Sequence, residues 1–209
     1  QFAFVLGNQQ GRRLLKTPRG FSLIELVIGM VILAVLLSIA MPAFSNWLRN
    51  AKVRTAAESV QNGLQLARAE AVRRNNAVRF SLVTTIDDSC ALAVAGPSWV
   101  VSMDDPAGQC ASPASDTVAP RIIQSRNGAE GSSATTIAAE QSAFVFNSLG
   151  RVTPTPAGSV AINISSPAAG CMADASPGPV RCLRIVVSVG GQIRMCDPAL
   201  PIGDAQGSC

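Results

Sequence analysis

Between Glu25 and Arg49 the chain carries no charged side chain, and from Leu26 to Ala40 it holds only Leu, Val, Ile, Met and Ala with one Gly and one Ser. With Phe21 to Ile24 before this run and Met41 to Phe44 after it, the apolar stretch reaches roughly 20 residues, the length a helix needs to cross a bilayer core. Ahead of it stand Arg12, Arg13, Lys16 and Arg19 without an acidic residue. The positive-inside rule then keeps residues 1 to 20 in the cytoplasm and exports the rest of the chain, to the periplasm or beyond.

Two plainer segments share this hydropathy. A secretory signal would be cut after the apolar run, but Ser38-Ile39-Ala40-Met41-Pro42-Ala43 is a poor small-x-small site and contains a proline. A simple stop-transfer anchor explains the length but not Glu25, because an ionised side chain inside a membrane helix costs about 2.5 to 3.5 kcal/mol near the centre on insertion scales. Even near the end of the helix such a carboxylate calls for a partner.

Arg19-Gly20 followed by Phe21-Ser22-Leu23-Ile24-Glu25-Leu26 resembles the leader junction of type IV pilins and pseudopilins. The resemblance implies cleavage by prepilin peptidase between Gly20 and Phe21, N-methylation of Phe21, Glu at the fifth mature position and Pro near the twenty-second, which is Pro42. Cleavage would remove the four basic residues and place a new amino terminus about 6 Å along the helix axis from Glu25, at 1.5 Å per residue. The resemblance implies that this Glu pairs with the terminal amine of the preceding subunit as the filament grows; pairing with its own terminus is the alternative. Pro42 lacks an amide hydrogen, so a kink is expected in the helix there. Gln1 opens the chain and the first methionine is Met30, inside the apolar run, so the leader's true start is expected to be missing from this sequence or replaced in it.

Beyond Ala43 the pattern turns amphipathic. Trp47, Ala51, Ala56, Val60, Leu64, Ala67 and Ala71 recur at helical spacing, with Arg49, Arg54, Glu58, Arg68 and Arg73 on other faces, so this half of the helix is expected to lay a stripe on a sheet. After Asn75-Asn76 the period shifts towards two. Strands are expected at Val78 to Val83, Arg121 to Ser125, Ala143 to Asn147, Val160 to Ser165, Leu183 to Val189 and Gln192 to Cys196. A hairpin is expected to join Leu92 to Ala95 with Trp99 to Val101. Asp105 to Pro120 and Pro167 to Pro179, rich in Ala, Gly, Pro and Ser, read as surface loops. The expected architecture is α+β: a leader over 1–20, a membrane and assembly helix over 21–45, and a head over 46–209 made of an amphipathic helix to 79 and a β-rich part from 80.

The formal charge of +4 is misleading as a sign of nucleic-acid binding. It resides in the four leader cations, and the remaining 13 basic residues balance the 13 acidic ones. Cys90, Cys110, Cys171, Cys182, Cys196 and Cys209 all lie on the exported side, where an even count reads as disulfides. Six cysteines permit 15 pairings. Sequence neighbours are expected to join, Cys90 with Cys110, Cys171 with Cys182 and Cys196 with Cys209, the last pinning the terminus. Without histidine, no Ser-His-Asp or Cys-His arrangement can be built, and no zinc site or cofactor is expected. Asp87-Asp88 and Asp104-Asp105 read as solvated turn residues, and the Gly-rich pieces at Gly150 and Gly190-Gly191 lack phosphate-loop and dinucleotide spacing. An enzyme is not expected.

A second resemblance narrows the family. Phe144 to Arg151 and Gly191 to Pro198, with Cys209, are similar to segments of the FimT, FimU and GspH group of minor pilins and pseudopilins. That implies a tip subunit that primes assembly and links the tip complex to the major pilin. Its partners would be other minor pilins, the major pilin, the prepilin peptidase and the inner-membrane assembly platform. Its place would be the inner membrane first and the pilus or a periplasmic pseudopilus afterwards. Two other roles accompany the resemblance. DNA-binding members carry Gly-Arg-x-Arg where this chain has Gly191-Gln192-Ile193-Arg194, so one phosphate-pairing cation is lost, with Arg181 and Arg184 able to enlarge the patch if they converge. A GspH-type pseudopilin of type II secretion is the other; Cys196-Asp197-Pro198 and Cys209 look more like the pilus branch.

Overall fold

The computed structural model describes residues 21–96, 98–128, 130, 134–174, 177–201, 203, 207 and 209. The expected leader, Gly20 included, lies outside the described residues. Chain contacts divide the protein after Pro42, and Ala43–Cys209 forms one compact unit.

A single helix, α1, runs from Leu23 to Arg74. At its start the Glu25 amide is shared between Ser22 Oγ, at 3.2 Å, and the Ser22 carbonyl, at 3.1 Å, so Ser22 caps the first turn with both side chain and backbone. At its end Asn75 adopts a left-handed conformation (φ 48°), with Asn75 N–H bonded to the Val72 carbonyl and Asn76 N–H to that of Ala71. That is a Schellman stop, with Asn in the place usually taken by Gly. Helical structure continues through Pro42.

Within the compact unit, α1 buries Val53, Ala56, Ala57, Val60, Gly63, Leu64, Ala67 and Ala71. Small side chains dominate this stripe, which lets the helix approach the sheet closely. A Cβ built on Gly63 would lie 2.7 Å from Cε2 of Phe80 and 3.2 Å from Cδ2 of Trp99. Trp47 and Ala51, expected in the stripe, are exposed instead, because burial begins only at Val53.

Two antiparallel sheets receive the helix. The first has five strands: β1 (Val78–Val83), β2 (Ser98–Ser102), β3 (Ile122–Arg126), β5 (Ala143–Phe146) and β6 (Val152–Thr153), in the order β3-β2-β1-β5-β6. The second has four: β4 (Thr136–Ala139), β7 (Val160–Ser165), β8 (Leu183–Val187) and β9 (Ile193–Cys196), in the order β4-β7-β8-β9. One core joins helix and sheets: Val60 and Leu64 share a buried cluster with Phe80, Phe144 and Phe146 from the first sheet and Ile162, Ile164 and Ile185 from the second. Alternation along β1 puts Phe80 and Leu82 in this core and Val83 on the reverse face. There Val83, Val100 and Ile122 form a smaller cluster closed by the Cys90–Cys110 disulfide.

The hairpin expected between Leu92 to Ala95 and Trp99 to Val101 is not formed. β2 is buried on both faces and takes a central place between β1 and β3, which a strand apolar at every position between its two serines favours. The preceding segment instead folds back on the end of β1, with Ala93 N–H bonded to the Leu82 carbonyl and a single bridge between Leu92 and Val83. β4 and β6 carry no clear strand signal in the sequence, because one is composed of Ala, Thr and Ile and the other is two residues long. Val189 and Gln192, expected in strands, belong to the β8–β9 turn, where Gly191 N–H bonds the Ser188 carbonyl.

Candidate functional site

The residues singled out for function fall into three places. The first is the start of α1. Phe21 is 84% exposed, and the side chains from Leu23 to Phe44 are exposed on every face of the helix. Among the described residues this is the one helix long and apolar enough to cross a membrane. Glu25 lies in its first turn, where a negative side chain is favoured by the helix dipole, and its carboxylate forms no ion pair among the described residues. Ser22-Leu23-Ile24-Glu25 has the spacing of a capping box. The structure forms the half of that box in which the Glu25 amide donates to Ser22 Oγ, and the Ser-x-x-Glu spacing is a helix-start signal visible in the sequence.

The second place holds the three arginines expected for DNA, of which the fold sets Arg184 and Arg194 on one sheet face and Arg181 on another surface. Arg181 is committed: its guanidinium pairs with Asp197 Oδ2 at 2.9 Å, and its amide donates to Asn50 Oδ1 of α1 at 2.8 Å. Arg184 donates from Nε to Asn163 Oδ1 at 2.7 Å across β7 and β8. Arg194 is exposed on β9 opposite Val186, so it shares the outer face of the four-stranded sheet with Arg184. Arg181 belongs to a different surface, a groove bordered by Trp47, Asn50, Ala51, Met195 and Asp197.

The third place is the meeting of two turns, one from each sheet. Asn147 Oδ1 accepts from the amides of Leu149 and Arg151 and so shapes the turn around Gly150 (φ 71°). Gly191 (φ 79°) approaches it so closely that a Cβ would lie 1.8 Å from the Gly150 carbonyl oxygen. The two segments that carried the second resemblance, Phe144 to Arg151 and Gly191 to Pro198, are thus in contact, and the glycines are there for space as well as for left-handed backbone.

Acidic side chains in the head serve loops. Asp104 forms a two-pronged pair with Arg121, from Nε at 2.7 Å and from Nη2 at 2.5 Å, and those hydrogen bonds hold its carboxyl below the usual carboxylate range. Asp105 pairs with Arg79, and Asp116 with Arg74. Glu70, held low chiefly by its hydrogen bond from Arg73, ties the last turn of α1 into the same group. Asp87 accepts from Ser89 and Thr85, which lowers its carboxyl too. The long loop after β2 is therefore fastened at both ends by ion pairs and by Cys90–Cys110. Cys171 bonds Cys182, and Cys196 bonds Cys209.

Comparison with known proteins follows the same division. Residues 56–191 match the family model described as Type II transport protein GspH, and residues 15–41 match that of the prokaryotic N-terminal methylation motif. Among solved structures the chain is similar to FimU, a type IV minor pilin of Pseudomonas aeruginosa, in two crystal forms. One is 16% identical, covers 68% of this chain and 90% of that one and has a TM-score of 0.46; the other is 18% identical, covers 68% and 87% and has a TM-score of 0.47. No curated protein matches the sequence significantly.

Proposed function

The chain belongs to the pilin-like GspH family, and on that premise we propose that it is a minor pilin of a type IV pilus that primes assembly and links the tip complex to the major pilin. The observation that carries the filament reading is the apolar, fully exposed helix from Leu23 to Phe44 with one carboxylate in its first turn. Such a surface must be covered by lipid before assembly and by other helices after it. Cleavage at Gly20-Phe21 supplies the amine that Glu25 lacks, and Pro42 gives the helix a point at which to bend. The head sits in the periplasm until the assembly platform of the inner membrane moves the subunit into the fibre, where loops and edge strands select neighbouring minor pilins.

The pilus branch is supported by the terminal segment, which lies beyond the family match. Asp197 is buried there, receives Arg181 and the Ala199 amide, and donates its own N–H to the Gly207 carbonyl. The closing Cys196–Cys209 bond makes this a built element of the head. The second reading, a pseudopilin of type II secretion, draws its support from the description of the matching family. The DNA receptor draws little, since Arg181 and Arg184 are engaged and Gln192 stands where the motif has arginine.

A deletion strain tested together for surface pili, protein secretion and DNA uptake separates the three. Loss of pili with secretion intact is the expected result. Loss of secretion with pili intact would assign the chain to the secretion machine instead.

A further inference from the structure

The two turns of α1 that follow the apolar run carry a charge pattern that neither the assembly helix nor the head core uses. From Leu26 to Ala57 the chain has no acidic residue, and its only charges are Arg49, Lys52 and Arg54. They span about 8 Å of helix axis and, at about 100° per residue, point in different directions around it, with Arg54 nearly opposite Lys52. Just before them Phe44 and Trp47, each 64% exposed, stack with ring centroids 5.9 Å apart.

Among the described residues none of the three cations is held firmly. There Arg49 donates only to the neutral Asn46 Oδ1, at 2.9 Å. Lys52 forms no ion pair among the described residues, and Arg54 meets Glu58 in an i,i+4 pair whose side chains are 76% and 51% exposed. Exposed pairs of this kind exchange readily for another anion. The neighbouring charges of the head, Arg181 and Asp197, neutralise each other.

Aromatic rings followed by a ring of cations, directly after a membrane-length apolar run in the same helix, match the layers of a bilayer surface: rings at the headgroup boundary, ammonium and guanidinium groups among the phosphates. We propose that Arg49, Lys52 and Arg54 form a collar that binds anionic phospholipid headgroups of the leaflet facing the head, with Trp47 seated at the boundary. The inference rests on the reading of α1 as a membrane helix. In the unassembled subunit the collar gathers anionic lipid and fixes how deeply the helix sits.

The two tryptophans make this measurable in the full chain, since Trp99 is 3% exposed in the head core and Trp47 is open. The protein is reconstituted into phosphatidylcholine vesicles containing a minor share of phosphatidylglycerol. Brominated acyl chains, which quench indole, are carried either by the phosphatidylglycerol or by an equal mole fraction of the phosphatidylcholine. The expected result is roughly twofold stronger quenching from the brominated anionic lipid, falling towards equality in high salt. Equality is also expected in the Arg49→Gln, Lys52→Gln, Arg54→Gln triple variant, whose buried Trp99 emission reports that the head is folded. Equal quenching in the unaltered chain overturns the proposal, as does no quenching from either lipid in a chain that resists alkaline extraction. A chain released by alkaline extraction would overturn the membrane reading and the collar together.

Discussion

The two halves of α1 share one secondary structure and almost nothing else. From Leu23 to Phe44 the helix is built of Leu, Ile, Val and Met, and every side chain is exposed. From Val53 to Ala71 the buried stripe is mostly Ala and Gly, with Val53, Val60 and Leu64 as its large members. Bulky aliphatics on all sides suit a helix covered by lipid or by other copies, whereas a narrow stripe of small residues suits a helix pressed on its own sheet. Where the covering partner is intramolecular, periodicity reveals it; where the partner is another molecule, uniformity does.

Leucine truncations should divide most sharply along this line. Leu64→Ala removes a fully buried side chain and should lower head stability by about 3 kcal/mol. Leu33→Ala, in the exposed half, should change it by less than about 0.5 kcal/mol. Urea unfolding of the full chain in detergent, followed by Trp99 emission, checks both; a comparable loss from Leu33→Ala would break the comparison. Opening the Cys90–Cys110 loop with serines, at a sequence separation of 20, should cost about 3 kcal/mol by loop entropy. The same unfolding measurement should find this loss in the head while the alkaline-resistant membrane fraction stays unchanged.

Glycines sharpen the contrast at a smaller scale. Gly63→Ala gains about 1 kcal/mol in helix propensity but drives a methyl into Phe80 and Trp99, so a net destabilisation of about 1 to 2 kcal/mol is expected. At Gly29 a Cβ meets nothing within 4 Å among the described residues, so Gly29→Ala should leave head stability unchanged. The smallest effect is that of pH. Asp104 is held low by Arg121, so its contribution is complete above the ordinary carboxylate range, about pH 4, and fades as pH falls through its depressed value. Thermal melts of the head should therefore decline below about pH 4, and less so in Asp104→Asn.

Much of this contrast was legible before any coordinates. The uncharged run after Glu25, the spacing of Val60, Leu64, Ala67 and Ala71, and the alternation in Val78 to Val83 are local patterns with a local physical cause. What escaped reading depends on distant partners. Trp99 to Val101 pairs with β1 and β3 because both of its faces find apolar cover, which no neighbouring residue announces. Gly63 is small because Phe80 and Trp99 occupy its space, and Arg181 is paired with Asp197, sixteen residues on. The convergence of Gly150 and Gly191 likewise joins two sheets that sequence order keeps apart. Ser22 is different: its S-x-x-E spacing is a purely local signal and depends on no distant partner.

In the proposed assembly role Glu25 acts between subunits and not merely at the head of its own helix, and one variant separates these roles. Glu25→Leu keeps the Ser22 cap and makes insertion easier, while removing the charge that a neighbouring amine would meet. We expect an alkaline-resistant membrane fraction equal to that of the unaltered chain, and incorporation into sheared pili reduced by a factor of roughly ten or more, equivalent to about 1.4 kcal/mol. Unchanged incorporation of Glu25→Leu into pili would contradict the central claim.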